Sequence, residues 1–443
     1  MKRVEAVKSV VLILLIALSL TLTFSIWTFI PNHKTIEQEP TVDISIAGKV
    51  NVETVIKPYK ILFNLEEGLR GTADSVEIDR MINELKSWSI SNLSLEDRNF
   101  DNEKLDALIR GENSLTLFFQ GEIPLPVYNT ILNIGDINIP EVAFNRIIVE
   151  WNSVNSTMDM HFVSRENKLH YSAKAHVMDF QDVQSSVIAK AEDYDEYAEV
   201  NPESTPFIAV PVEQIELVSN TYYEDEISPS LFRNALFSDP NTVLRSKIDE
   251  NSEEFQDDHA LMSINTLTKN LDYVHPKAKS DELAIPSELL LNTFDFINEH
   301  GGWTDEFRFA RMNPMSRYVE YQLYVHGLPV FSDTTSTKIE QVWGNDRVFR
   351  YMRPYYTLDL TLPSEKEVRV LPSGVDVAKM LKESTELDSS MVEEIIPGYY
   401  MKHDTARTDR SLFVLEPSWF YNVKGNWIRF SPEQLGGELI GLE

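Results

Sequence analysis

No position between Val10 and Ile30 is charged. About 21 residues at a rise of ~1.5 Å each reach about 31 Å, the thickness of a bilayer's hydrocarbon core. The run predicts one transmembrane helix over residues 9–30. Lys2, Arg3 and Lys8 precede it against Glu5 alone, and acidic residues dominate soon after Lys34. The positive-inside bias therefore places residues 1–8 in the cytoplasm and everything beyond a polar linker, 31–41, outside the cell. The apolar run passes straight into Trp27, Phe29 and Pro31 without the small residues of a cleavage site, which predicts an uncleaved anchor.

Beyond the linker the periodicity alternates between 3.6 and 2. Ile78, Met81, Ile82 and Leu85 share one face of a predicted helix that ends before Trp88. Leu115 to Phe119, Ile147 to Trp151, Met158 to Val163 and Lys168 to His176 read as strands separated by turn formers. The acidic stretch from Ala191 to Pro206 reads as a boundary between units. After it, Ser228 and Pro229 open a helix running to Phe237, and a second helix covers Glu288 to His300 before Gly301 and Gly302. Tyr318 to Val325, Ile339 to Trp343 and Arg347 to Tyr351 are predicted strands. Ser373 and Asp376 resemble a capping box, ahead of an apolar side formed by Val377, Met380 and Leu381. Short strands are expected at Pro397 to Met401, Leu412 to Leu415 and Trp427 to Phe430. The predicted architecture is α+β: one N-terminal transmembrane helix, then a multidomain extracellular region with antiparallel sheets and packed helices. Its expected units are 42–177, 178–362 and 363–443.

Composition narrows the chemistry. The 443 residues contain no cysteine, so disulfides, thiolate metal sites, iron–sulfur clusters and thiol nucleophiles are excluded. A net charge of -30, from 40 basic and 70 acidic residues, opposes binding to nucleic acid. The sequence lacks a nucleophile elbow, a phosphate-binding glycine loop, a zinc-protease helix and a dinucleotide fingerprint. The histidines, from His33 to His403, are scattered singly. The clusters Glu224, Asp225, Glu226 and Glu253, Glu254, Asp257, Asp258 lack the pattern of a calcium loop and read as solvated loops. Paired carboxylates of a glycan hydrolase would be far apart in sequence and are not legible. No enzymatic activity, cofactor or metal is expected.

Two places do suggest contacts. In the membrane segment, Ala17, Thr21, Ser25 and Thr28 fall within about 80° of one another, and Ser19 and Thr23 lie roughly opposite. Small and hydroxyl side chains let helices approach in lipid, so two faces predict two helix partners; the alternative is a plain tether. With eight residues ahead of the helix, any message to the cytoplasm is expected to pass through the helix itself. In the exterior, Arg350, Arg353, Tyr355 and Tyr356 combine residue types favoured at interface centres, or they form an edge strand with arginines stacked on core tyrosines.

Several segments together resemble the YycH family, membrane-anchored regulators encoded beside the WalK (YycG) sensor kinase of the WalK/WalR (YycG/YycF) system in Gram-positive bacteria. They are Val7 to Ser9, Ser25-Ile-Trp27-Thr28, Ile56-Lys-Pro-Tyr59, Leu236-Phe-Ser-Asp-Pro240, Gly327-Leu-Pro-Val-Phe-Ser332, Arg353-Pro354 and Glu416-Pro-Ser-Trp419. The resemblance covers nearly the whole chain. It implies an external α+β protein of three domains, the last two related to those of a YycI partner. It also implies helix-to-helix contact with the kinase, inhibition as the direction of regulation, a role in cell-wall homeostasis, and no catalytic residues. An extracellular wall- or ligand-binding module is the alternative, with a glycan hydrolase behind it.

Overall fold

The structure, a computed structural model, describes residues 46–431 apart from 137, 153–156, 203–205, 363–366, 385–386 and 405–411, together with Ser19. The described part is α+β. Its first sheet contains β1 (Lys60–Leu65), β2 (Gly68–Thr72), β3 (Ser89–Asp97), β4 (Ser114–Pro124), β5 (Ala143–Glu150), β6 (Thr157–Ser164), β7 (Leu169–His176), β8 (Asp195–Glu199) and β9 (Ala209–Pro211). They pair in the order β3-β7-β6-β5-β4-β1-β2-β8-β9.

Alternation along these strands builds two faces. Ile61, Phe63, Leu115, Leu117, Ile147 and Val149 belong to the largest core, which also takes in the apolar stripe of α1 (Ser75–Ser87). That helix starts where Asp74 accepts hydrogen bonds from the Val76 and Glu77 amides, and it buries Ile78, Met81, Ile82 and Leu85, the four residues the periodicity selects. The opposite face, with Leu62, Phe118, Ile148 and Val163, joins α2 (Asn102–Ile109) and, from far along the chain, Ile396 and Phe420.

The second sheet contains β10 (Ile215–Tyr223), then β12 (Leu244–Lys247), β13 (Ser252–Gln256), β14 (Leu261–Asn265), β15 (Asn270–Val274), β16 (Phe307–Asn313), β17 (Tyr318–Val325), β18 (Leu328–Phe331), β19 (Lys338–Trp343), β20 (Val348–Pro354), β22 (Glu367–Leu371), β23 (Val392–His403), β24 (Leu412–Val423) and β25 (Asn426–Arg429); β11 (Asp225–Glu226) and β21 (Tyr356–Thr357) form a small pair of their own. Its pairings are antiparallel except between β18 and β23, which run parallel. β10 lies between β22 and β24, so a strand from before residue 362 is inserted between two from after it.

The strands at the end of the chain are longer than their sequence signals. β23 and β24 form a hairpin of twelve-residue arms through Pro397, Gly398 and Pro417. The acidic stretch after Ala191 is likewise not all linker: it contains β8, which pairs with β2 and buries Tyr197, with Asp195 and Glu196 exposed and Glu199 ion-paired with Arg110 at 2.6 Å. Ser228 precedes the helix Pro229–Leu236 as expected, but its hydroxyl meets Ser230 Oγ at 2.7 Å and makes no capping bond. Ser373 does cap, accepting from the Asp376 amide at 3.1 Å.

The two sheets touch where β4 meets β16. A Cβ on Gly121 would stand 2.5 Å from the Ala310 carbonyl oxygen and 2.9 Å from the Arg311 Cα, so only glycine permits this approach. Gly121→Ala is expected to destabilise the protein by about 1–3 kcal/mol, because backbone lies on the far side and must shift. Urea unfolding followed by tryptophan fluorescence checks this.

Candidate functional site

The membrane-helix residues Ala17, Thr21, Thr23, Ser25 and Thr28 lie outside the described residues; Ser19 is helical and exposed. Among the described residues no helix is long and apolar enough to cross a membrane. The arginine–tyrosine stretch is internal. β20 is flanked by β15 and β19, so it is not an edge strand. Arg353 is fully buried, donating to the Gly302 carbonyl at 2.5 Å and the Pro354 carbonyl at 2.8 Å, and its guanidinium sits 4.9 Å from the Phe232 ring centre. Tyr355 and Tyr356 are buried too, with Tyr356 donating to the Ser336 carbonyl at 2.7 Å. Arg350 alone of the four is half-exposed, and both its Nε and Nη2 are taken by Asp272, at 2.9 and 2.6 Å. Three of these four candidates are buried, Arg353 on β20 and Tyr355 and Tyr356 just beyond its end.

Two further expectations change. Glu224 is not in a solvated loop: its side chain is 1% exposed and ion-paired with Lys269, which also holds Glu226 at 2.5 Å. His161 and His170, nine residues apart, meet across the β6–β7 hairpin with ring nitrogens 2.9 Å apart, and Glu150 reaches His161 at 3.1 Å. Among the described residues no group of three histidines or carboxylates is arranged to hold a metal.

The feature with the most unspent hydrogen-bonding capacity is a cleft between the sheets. It begins at an irregularity in β4. Between the pairs Phe118↔Arg146 and Ile123↔Phe144 the ladder advances five positions on β4 but two on β5. The extra residues bulge out of register, and bulges of this kind re-aim side chains. Gln120 and Glu122 line the space between β4, β16 and the β24–β25 hairpin. Two adjoining cavities of about 320 and 400 Å³ occupy that space, sharing Gln120, Glu166, Asn422, Gly425 and Trp427 as walls.

The floor of this cleft is polar and incompletely satisfied. Glu122 is 7% exposed; its Oε1 accepts from the Glu166 amide at 3.1 Å, while Oε2 has no partner among the described residues. Gln120 Nε2 is a buried donor in the same position. Burial pushes the Glu122 carboxyl up to about 7, against the opposing pull of hydrogen bonds from Ser164 and the Glu166 amide. Orphaned polar atoms of this kind cost about 1–3 kcal/mol each unless something binds them. Arg146, also on the wall, spends its Nη1 on the Phe119 and Asn145 carbonyls at 3.1 and 2.7 Å, and lies 4.6 Å from the Phe118 ring centre.

Beside the second cavity a buried ion pair ties the sheets together. Lys60 of β1 meets Glu394 of β23 at 3.1 Å and donates to the Ala209 carbonyl at 3.2 Å, while Tyr59 donates its hydroxyl to the other Glu394 oxygen. Burial lowers the Lys60 pKa, opposed by Glu394; burial, then Glu394, raises that of Tyr59 well above its usual value. Of these positions only Tyr59 falls in a segment that the sequence singles out, Ile56 to Tyr59. Gln120 and Glu122 sit at the end of an apolar strand, and the only signal in the sequence is a polar interruption, Gln-Gly-Glu, between Phe119 and Ile123.

Comparison with known proteins matches residues 5–191 to the family model described as YycH protein, N-terminal domain, and residues 207–434 to YycH protein, C-terminal domain. A relative from Bacillus subtilis (strain 168), "Two-component system WalR/WalK regulatory protein YycH", is 21% identical over 452 residues, spanning 99% of this chain and 98% of its own. The crystal structure of YycH from Bacillus subtilis superposes with a TM-score of 0.73 at 17% identity, covering 87% of this chain and 99% of that one. That superposition speaks for the fold.

Proposed function

Because this chain belongs to the YycH family, we propose that it is a membrane-anchored extracellular regulator of the WalR/WalK two-component system, inhibiting the WalK kinase through membrane-helix contacts made jointly with a YycI-like partner. The observation that carries this reading is the extent of the match. A protein named as a WalR/WalK regulator aligns with this one almost end to end, so no domain of that relative lacks a counterpart here. The uncharged run from Val10 to Ile30 supports the membrane anchor, and the hydroxyl and small side chains along it suit close helix packing. A coupling of ~1–3 kcal/mol between helix packing and the kinase equilibrium changes activity by about 5–150-fold. Regulation, not turnover, is the role.

Replacing residues 10–30 with an unrelated apolar helix of equal length is expected to abolish regulation of the kinase while leaving the exterior folded. The readout is WalK autophosphorylation in membranes that also contain the YycI-like protein. A wall-binding or ligand-binding module needing only a tether would survive that replacement unchanged. Single cysteines at Ala17, Ser19, Thr21 and Ser25 would be the chain's only thiols. They are expected to form disulfides with cysteine-bearing kinase or partner helices at positions repeating every three to four residues. Crosslinks no stronger than background at every position would remove the helix mechanism.

A further inference from the structure

We propose that the larger of the two adjoining cavities binds a phosphate monoester, held by Arg146, Arg165, Lys168 and Lys424 together with the amide donors of Asn145 and Asn422. Seven lysines and arginines line the two cavities, and those of the smaller one are already paired. Arg311 and Lys338 both meet Glu320 at 2.8 Å, and Arg429 meets Glu416 at 3.3 Å. The other four stand around the cavity of about 400 Å³, and none of them has an ion pair among the described residues. In a chain with a net charge of -30, carboxylates are not what is scarce. Arg146 is the anchor, because it is 8% exposed and still has no counter-ion, a costly arrangement for a buried charge. Its Nη1 goes to the Phe119 and Asn145 carbonyls; Nε and Nη2 have no partner and are not among the unpaired atoms sealed from solvent, so they keep surface on the cavity. Gln120 Nε2 and Glu122 Oε2 are sealed and take no part. Asn145 and Asn422, 7% and 8% exposed, each give Oδ1 to a backbone amide, that of Arg165 at 3.3 Å and that of Gly425 at 2.8 Å. These bonds fix the orientation of both amides and leave each Nδ2 as an unpaired donor with surface on the same cavity.

The charge balance selects the ligand. The carboxylates on this wall are Glu166, Glu393 and Glu394. Lys60 neutralises Glu394, so the four cations face two carboxylates and two positive charges are in excess. Glu122 borders the smaller cavity, and its burial keeps it largely protonated below about 7. A phosphate monoester carries about -1.5 to -2 charges at neutral pH and three acceptor oxygens, which matches that excess and suits an arginine fork flanked by amide donors. A neutral ligand would leave the four cations uncompensated. A metal ion would be repelled by them and lacks a ligand set among the described residues. This inference does not rest on the helix mechanism, since binding is read without the kinase.

The test uses the full-length protein in phosphatidylcholine nanodiscs, titrated in a calorimeter with sn-glycerol 3-phosphate. Saturable binding that weakens as salt rises is expected. Arg146→Gln is expected to abolish it. Lys168→Asn combined with Lys424→Asn is expected to weaken it about tenfold. Both lysines are exposed and hold a positive φ that asparagine adopts readily, so this double variant guards against a folding defect in Arg146→Gln. Glycerophosphoglycerol, a diester with a single negative charge, is expected to bind at least about tenfold more weakly than the monoester. Repeating the titration in discs that contain phosphatidic acid distinguishes two sources of the same group: competition supports a lipid headgroup, and an unchanged affinity supports a soluble ester. No saturable binding at several millimolar in low salt overturns the proposal. Binding that the lysine double variant leaves unchanged overturns it equally, because the phosphate would then sit elsewhere, and so does equal affinity for the diester.

Discussion

Glu394→Gln is expected to destabilise the protein by about 3–5 kcal/mol, the usual cost of removing one partner of a buried ion pair. The side chains of Lys60 and Glu394 are 5% and 9% exposed, so water can do little to replace the lost charge. Alternation along β1 turns Lys60 and Leu62 toward the β23–β24 hairpin, with Lys60 Nζ 4.7 Å from the Phe118 ring centre. With Glu394 neutralised, Lys60 retains the Ala209 carbonyl and two aromatic faces but no anion, and its burial already disfavours the charged form. Replacing both partners with apolar groups, as in Lys60→Met with Glu394→Leu, is expected to recover most of the loss, because no uncompensated charge remains. Urea unfolding of the two single variants and the double variant gives the coupling. A single variant within about 0.5 kcal/mol of the natural protein would show that the pair is not what joins the sheets.

How the sheets join is also where the sequence stops being legible. Ile78, Met81, Ile82 and Leu85 were readable because a helix repeats its buried side within seven residues, and all four are buried. The strand Tyr318–Val325 was readable because it is apolar and bounded by turn formers. Of the β23–β24 hairpin the sequence predicts only Pro397 to Met401, mostly in the second half of one arm, and Leu412 to Leu415, the first four residues of the other. Pro397 and Gly398 lower strand propensity, and the structure shows what they do instead: a Cβ on Gly398 would stand 2.8 Å from the Pro329 carbonyl, where β18 approaches in parallel. β8 is hidden in the sequence because its acidic residues resemble a linker and Tyr197 is its one large buried side chain.

The cleft residues come from strands hundreds of positions apart. Nothing local to Gln120 or Glu122 signals Trp427, since cross-strand pairing and sheet docking leave no fixed spacing. The same reason applies to Arg353, Tyr355 and Tyr356. Their residue types are those of an interface centre, but interface centres and protein cores are built alike, and it is burial with internal hydrogen bonds that distinguishes them here.

The stability difference between Glu122→Gln and the natural protein is expected to grow by about 3 kcal/mol, in favour of the variant, as pH rises from about 4.5 to above 7. The sign follows from the direction of the shift. Burial raises the Glu122 carboxyl from its ordinary 4.5 to about 7, so between those values the folded protein holds a proton that the unfolded chain has released. The stabilisation from the protonated carboxyl is therefore complete below about 4.5, declines through the interval and is lost above about 7. Glutamine cannot ionise and keeps an oxygen for the Glu166 amide, so it behaves as the protonated acid at every pH. Taking the difference between the two proteins at each pH cancels the other titrating groups, which both share. Urea unfolding at pH 4.5, 6 and 8 provides the three points needed. A difference that stays flat would mean that the cleft floor is well hydrated and that Glu122 ionises as an ordinary carboxylate. A rising difference would establish a buried carboxyl at the base of the cleft that changes from hydrogen-bond donor to acceptor near neutral pH.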